Sequence, residues 1–272
     1  MPITLSGGGF TFNDANFSII GERLESGQVY TTDGVSYGLT NFSEFSVGAG
    51  EATGLTYEYA DEPNTTVSIG NDASEGNYIA VDLANFDDEF TVTIDSFDSV
   101  ITDKQNSTFE VLSRIYLESE PRNNRSWGGP AIFVGGTSLA TFDGIVGSIS
   151  TNISDVWRHR VVQIIDGFGG VLVSGNVTFT DSTPRWVWIR FRIEDNGATD
   201  NWYLKSWEGD ISAEPASWDG SNLSTFKRDY TNLGTKMGFA GIGALMYQNV
   251  EFRLSYFSFS SDPDTIPPPT PN

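Results

Sequence analysis

The chain has 272 residues, no cysteine and a single histidine, His159. These counts exclude disulfides, thiolate metal sites, cysteine nucleophiles and any centre that needs two histidines from one chain. Fifteen Lys+Arg against 36 Asp+Glu give a net charge of −21, which repels phosphate backbones and argues against nucleic acid as a partner.

The charge is unevenly spread. Residues 1–100 hold one base, Arg23, and 17 acids, whereas residues 101–272 hold 14 bases and 19 acids. This asymmetry marks residues 1–85 as an acidic, β-rich N-terminal region with surroundings of its own. The start, Met1-Pro2-Ile3-Thr4-Leu5, has no basic residue before Arg23 and lacks the charged opening of a secretory signal. No run approaches the ~18 uninterrupted apolar residues of a spanning helix.

Helical periodicity is scarce and period-two alternation is plentiful. Asn71-Asp72-Ala73-Ser74-Glu75 offers oxygens that suit a cation, but it also has the composition of an acidic turn. Phe90 to Asp95 puts Phe90, Val92 and Ile94 on one face of a strand. Phe109 to Leu117 separates Phe109, Val111, Ile115 and Leu117 from Glu110, Arg114 and Tyr116. Glu118-Ser119-Glu120 sets two acids at a strand end, with Pro121 directly after them. Trp127, in the glycine-bearing stretch Arg125-Ser126-Trp127-Gly128-Gly129, reads as a flexible loop residue.

His159 precedes the apolar strand Val161 to Asp166 and reads as a strand-edge histidine. Gly169-Gly170 is expected to break that strand from Val171-Leu172-Val173, which is followed by Val177 to Thr180. Arg185 to Ile193 is the clearest strand. Val187, Ile189, Phe191 and Ile193 must face a core, and Trp186, Trp188, Arg190 and Arg192 the other side. After a turn at Glu194–Gly197, Trp202 to Trp207 returns as its partner; Asp195 to Asp200 has turn oxygens of its own. In Val250 to Phe259 the apolar parity shifts, which predicts a bulge near Ser255–Tyr256. The tail from Asp262 holds five prolines in eleven residues and cannot join a sheet.

Short strands joined by Gly, Asn and Asp predict an all-β sandwich. Residues 185–218 carry a more specific pattern: Trp186-Val187-Trp188-Ile189-Arg190-Phe191-Arg192-Ile193-Glu194, then Lys205-Ser206-Trp207-Glu208-Gly209, then Glu214-Pro215-Ala216-Ser217-Trp218. This resembles the central hairpin of the concanavalin A/laminin G-like jelly rolls of bacteriophage virion proteins. The resemblance extends over roughly residues 90–260, with a longer turn at Asp195–Asn201. It implies a jelly-roll domain over 86–260, an anchoring region over 1–85 and a proline-rich tail over 261–272. It also implies a non-enzymatic structural role on the particle exterior, as capsid decoration or a tail or fibre part, located in the virion and touching host glycans. The partners it implies are other virion proteins, further copies of the chain (a trimer by analogy of fold), and no membrane. The other reading is a glycan-active enzyme or a free lectin with a concanavalin A-like fold.

The chemistry in the sequence is sparse. The Glu-x-Asp-x-x-Glu spacing that places two carboxylates on one strand face does not occur, and neither does a Gly-x-Ser-x-Gly elbow or a phosphate-binding glycine loop. We therefore expect no catalytic residue, no metal and no cofactor. Glycan contact needs an exposed aromatic ring beside polar groups, and Trp127 and then Trp202 are the candidates. Trp207 and Trp218 are large enough to cover the sandwich, each burying roughly 150–250 Å².

Overall fold

A computed structural model describes residues 26–32, 35–49, 57–59, 65–83, 88–94, 108–117, 127–135, 143–151, 157–165, 168–176, 184–195, 200–218, 220–221, 239–246, 251–262, 268 and 270. Its strands are β1 (Gln28–Thr32), β2 (Val35–Thr40), β3 (Gly48–Ala49), β4 (Tyr57–Tyr59), β5 (Thr65–Asp72) and β6 (Gly76–Leu83). Next come β7 (Asp88–Ile94), β8 (Phe109–Leu117), β9 (Trp127–Gly135), β10 (Asp143–Thr151), β11 (Trp157–Ile165) and β12 (Phe168–Asn176). The last are β13 (Arg185–Asp195), β14 (Asp200–Glu208), β15 (Gly220–Ser221), β16 (Phe239–Met246) and β17 (Glu251–Ser260). A single 3-10 turn, Ile211–Ala213, is the only helical element among the described residues.

The expected all-β jelly-roll sandwich is what the chain forms. A ten-stranded sheet runs β15-β14-β13-β8-β17-β6-β5-β3, with β2 also on β17 and β1 on β2. A seven-stranded sheet runs β12-β11-β10-β9-β16-β7-β4. The chain crosses repeatedly from one sheet to the other, between β3 and β4, β4 and β5, β6 and β7, β7 and β8, β8 and β9, β12 and β13, β15 and β16, and β16 and β17. The sheets meet in one core: Val187, Ile189, Phe191, Trp202 and Leu204 of the first pack in the same cluster as Ile149 and Val161 of the second. At Gly147 on β10 the approach is so close that a Cβ would collide with the Phe191 ring, so only glycine fits.

The alternation on β13 and β8 falls as expected. Val187, Ile189, Phe191 and Ile193 are buried with Phe109, Val111, Ile115 and Leu117 in that core. The bulge expected near Ser255–Tyr256 is present as a register shift in the β17–β8 ladder between Leu254 and Tyr256. There β17 changes partner. Residues Glu251 to Leu254 pair with β6, and Phe257 to Ser260 pair with β2.

Three expectations change. Residue 85 is not a structural boundary, because β2, β5 and β6 complete the same sheet as β8 and β13, and β4 pairs with β7. Gly169 and Gly170 do not interrupt a strand; both lie within β12, paired with Ile164 and Gln163. His159 is not at a strand edge. It lies on β11 between β10 and β12, is buried, and its Nε2 is 2.6 Å from Ser206 Oγ on β14, which gives a polar tie between the sheets. In the tail, Pro268 is buried against the chain itself and Thr270 is exposed. The 1–25 segment, Glu118-Ser119-Glu120, Val177 to Thr180, the turn residues 196–199 and tail residues 263–267 lie outside the described residues.

Candidate functional site on the outer face

Away from the core, β13 and β8 present the residues that the alternation sets aside: Trp186, Trp188, Arg190 and Arg192, with Glu110, Leu112, Arg114 and Tyr116 beside them. The strand pairing puts Arg190 next to Lys205 and Trp188 next to Trp207 on β14. The segment after β14, residues 209–218, folds back over these side chains. Gly209 starts it at φ +82°, a conformation glycine adopts without strain. Its carbonyl then accepts from Arg114 Nη1 at 2.8 Å and from Trp188 Nε1 at 3.2 Å. Asp210 caps the 3-10 turn by accepting from the Ser212 amide at 2.9 Å.

Beneath this strap lies a second, smaller apolar cluster of Leu39, Leu112, Trp188, Trp207 and Tyr256, with Ile211 of the strap packed against it. Beside it runs an ion-paired chain. Glu110, 1 % exposed, is held by both Arg190 and Arg192. Arg190 also donates to Glu214 at 2.8 Å, and Lys205 lies 2.6 Å from the same carboxylate. Lys205 Nζ donates to the Pro215 carbonyl at 3.0 Å. Trp218 closes the end, with Lys205 4.6 Å and Arg192 5.5 Å from its ring centre. The Trp/Arg, Lys/Trp/Gly and Glu-Pro/Trp pieces of the sequence pattern therefore meet in one latch.

The other end of this face is open. The β5–β6 hairpin reaches across it from the far side, and Glu75 at its tip clasps Arg114, with one bond of 2.7 Å from Nη2. Next to that clasp, Trp186, Tyr116 and Tyr78 gather, all partly exposed. Trp186 meets Tyr116 with ring centres 5.3 Å apart and Tyr78 at 5.9 Å, tilted by 60° and 59°. The Arg253 guanidinium lies over both tyrosine rings, 4.9 Å from Tyr116 and 5.5 Å from Tyr78, and is ion-paired with Glu251.

The two residues the sequence nominated are placed elsewhere. Trp202 is fully buried in the core, opposite Ile193, so no ligand can stack on it. Trp127 opens β9 and pairs with Leu245 and Ser150, so it is a strand residue and not a loop residue; its side chain lies outside the described positions. Trp186 was visible as an outward tryptophan, but sequence alone could not bring Tyr116 and Tyr78 to it. In the 71–75 stretch, Asp72 Oδ1 accepts from the Ser74 amide at 2.8 Å and its hydroxyl at 2.6 Å, and the Glu75 carboxylate holds Arg114. No metal-competent cluster of His, Cys, Asp and Glu occurs among the described residues.

Fold and site together define a jelly-roll β-sandwich with one heavily ion-paired face. No protein-family model matches the sequence, and no curated protein is significantly similar to it. Among solved structures, the chain is similar to a xylan β-1,4-xylosidase from Bacillus halodurans, at 11% identity and a TM-score of 0.47, over 81% of this chain and 38% of that one. It is also similar to arcelin-5, a lectin-like defence protein from Phaseolus vulgaris, at 11% identity and a TM-score of 0.43, over 84% and 98% of the two chains. A third is a carbohydrate esterase from the Shiga toxin-encoding bacteriophage phi24B, at 9% identity and a TM-score of 0.39, over 76% and 90%. The chain thus spans about two-fifths of the xylosidase.

Proposed function

We propose that the protein is a non-enzymatic structural component of the exterior of a bacteriophage particle, either capsid decoration or a tail or fibre part, and that its outer sheet face contacts host glycans. Its partners on this reading are neighbouring virion proteins and further copies of itself. The observation that carries the reading is the latch. Residues 185–218, the stretch that resembles phage jelly rolls, lock the face and its cover together, and Glu110, Glu214 and Glu75 are each held by an arginine or a lysine. A glycosidase instead needs two carboxyl groups facing one bond, one of them able to give up a proton. Here each of these carboxylates is taken up by its cationic partner instead of facing another carboxyl across a furrow. A rigid cover with immobilised acids suits a module built for attachment.

The test has two arms. Antibody against the full chain should label intact phage particles, and the purified chain should release no reducing sugar from polysaccharides. Sugar release, or labelling only after particles are disrupted, would overturn the proposal.

A further inference from the structure

We infer that the recess formed by Trp186, Tyr116 and Tyr78 is a binding site for an uncharged pyranose. This deepens the glycan contact proposed above and rests on it. The ring arrangement is the first argument. Arg253 takes the faces of both tyrosines, whereas neither tyrosine stacks flat on Trp186; both meet it at about 60°. A partly exposed indole on which neither of these tyrosines lies flat can receive the C–H face of a sugar, whose slightly positive hydrogens match the electron-rich π face. Polar atoms are at hand, since Arg253 and Glu251 form a partly exposed pair at the rim. An apolar floor with a few convergent polar groups is what a small-ligand site requires.

Charge sets the class of sugar. Two guanidinium groups flank the recess, and each is matched by a carboxylate: Arg253 with Glu251, and Arg114 with Glu75. Both of these cations are already matched, and Asp72 adds a further negative charge near Arg253, so an acidic sugar would have to displace a carboxylate to reach an arginine. The chain's net charge of −21 adds a repulsive field against polyanions. Neutral hexoses and pentoses meet neither obstacle.

The experiment presents the full chain to immobilised neutral hexaoses (gluco-, xylo-, manno- and galacto-configured) and to acidic probes, namely oligogalacturonate and sialyllactose. We expect at least one neutral hexaose to bind more tightly than either acidic probe. Trp186→Ala should weaken that binding by at least ~10-fold with thermal unfolding close to that of the parent. Trp186→Phe keeps an aromatic ring and should retain most of the affinity. It should also lose the change in tryptophan fluorescence that the sugar causes in the parent, a readout that stands even if the alanine variant folds poorly. Binding of no neutral hexaose, preference for an acidic probe, unaltered binding by Trp186→Ala, or loss of binding through Trp127→Ala instead would each overturn the inference. Absent binding combined with labelled particles and no sugar release would remove this site and leave the particle role standing.

Discussion

The two ends of the outer face are built from the same side chains and do opposite things with them. At the strap-covered end, Trp188 and Trp207 stack with ring centres 6.2 Å apart, 4 % and 5 % exposed, and Glu110 is buried between two arginines. At the open end, Trp186, two residues before Trp188 on the same strand and the same side, remains partly exposed beside an arginine whose partner Glu251 is itself a third exposed. The difference lies in what folds over each. Residues 209–218 cover one end, while at the other, beside the stretch of β17 that pairs with β6, the rings stay partly exposed. Tryptophan and arginine on a sheet therefore become scaffold or surface according to the connection that follows them.

The sharpest way to separate the two ends is to delete one carboxylate from each. Glu110→Ala leaves Arg190 and Arg192 without their buried partner and should cost about 3–5 kcal/mol in urea unfolding. Glu251→Ala, at the open end, should cost at most ~1 kcal/mol, because exposed pairs contribute little. Equal losses would erase the distinction.

Titration gives a second contrast. Burial holds the Tyr256 hydroxyl protonated well above the usual 10.0. A folded-state value raised in this way means that stability is full below pH 10 and falls as pH rises beyond it. Urea midpoints measured from about pH 8 to about pH 11 should drop at the alkaline end, and Tyr256→Phe should flatten that drop.

The strap itself can be loosened. Trp218→Ala removes the ring over Lys205 and Arg192 and should cost about 1 kcal/mol. Faster hydrogen exchange should appear in residues 209–218 and not in the β5–β6 hairpin. Smallest of all is the acid response of that hairpin's turn. The Ser74 hydroxyl, and then its amide, hold the Asp72 carboxyl below the usual 3.8, so its contribution exists above that pH and fades as pH falls through the folded value. Asp72→Asn should remove the corresponding acid-side change in the Ser74 amide shift by NMR, with little effect on global melting.

Much of this was legible in the alternation. β13 and β8 declare their two faces because each places four apolar residues on one parity, and a sheet with one buried face allows no other register. The bulge in β17 was legible for the same reason. Trp202 was misplaced because Trp202-Tyr203-Leu204-Lys205-Ser206-Trp207 offers large residues on both parities. Only the pairing of Trp202 with Ile193, set by how the turn closes Asp195 onto Asp200, decides which side is core. The N-terminal boundary was misread because charge reports solvation, whereas membership of a sheet is settled by partners far along the chain. The open-end recess depends on Tyr78, Tyr116 and Trp186 converging from three strands that span more than a hundred residues, a proximity that no local pattern encodes.

The position of β17 has a consequence for the integrity of the larger sheet. It sits in the middle of the larger sheet, joining β8 on one side to β6 and β2 on the other; Phe259 pairs with both Val111 and Gly38. Without it, the strands on its two flanks would have no common neighbour and their hydrogen-bonding edges would be bare. Taking away Glu251–Ser260 would part the larger sheet into three pieces, β15-β14-β13-β8, β6-β5-β3 and β2-β1, so this one strand is the keystone of that layer.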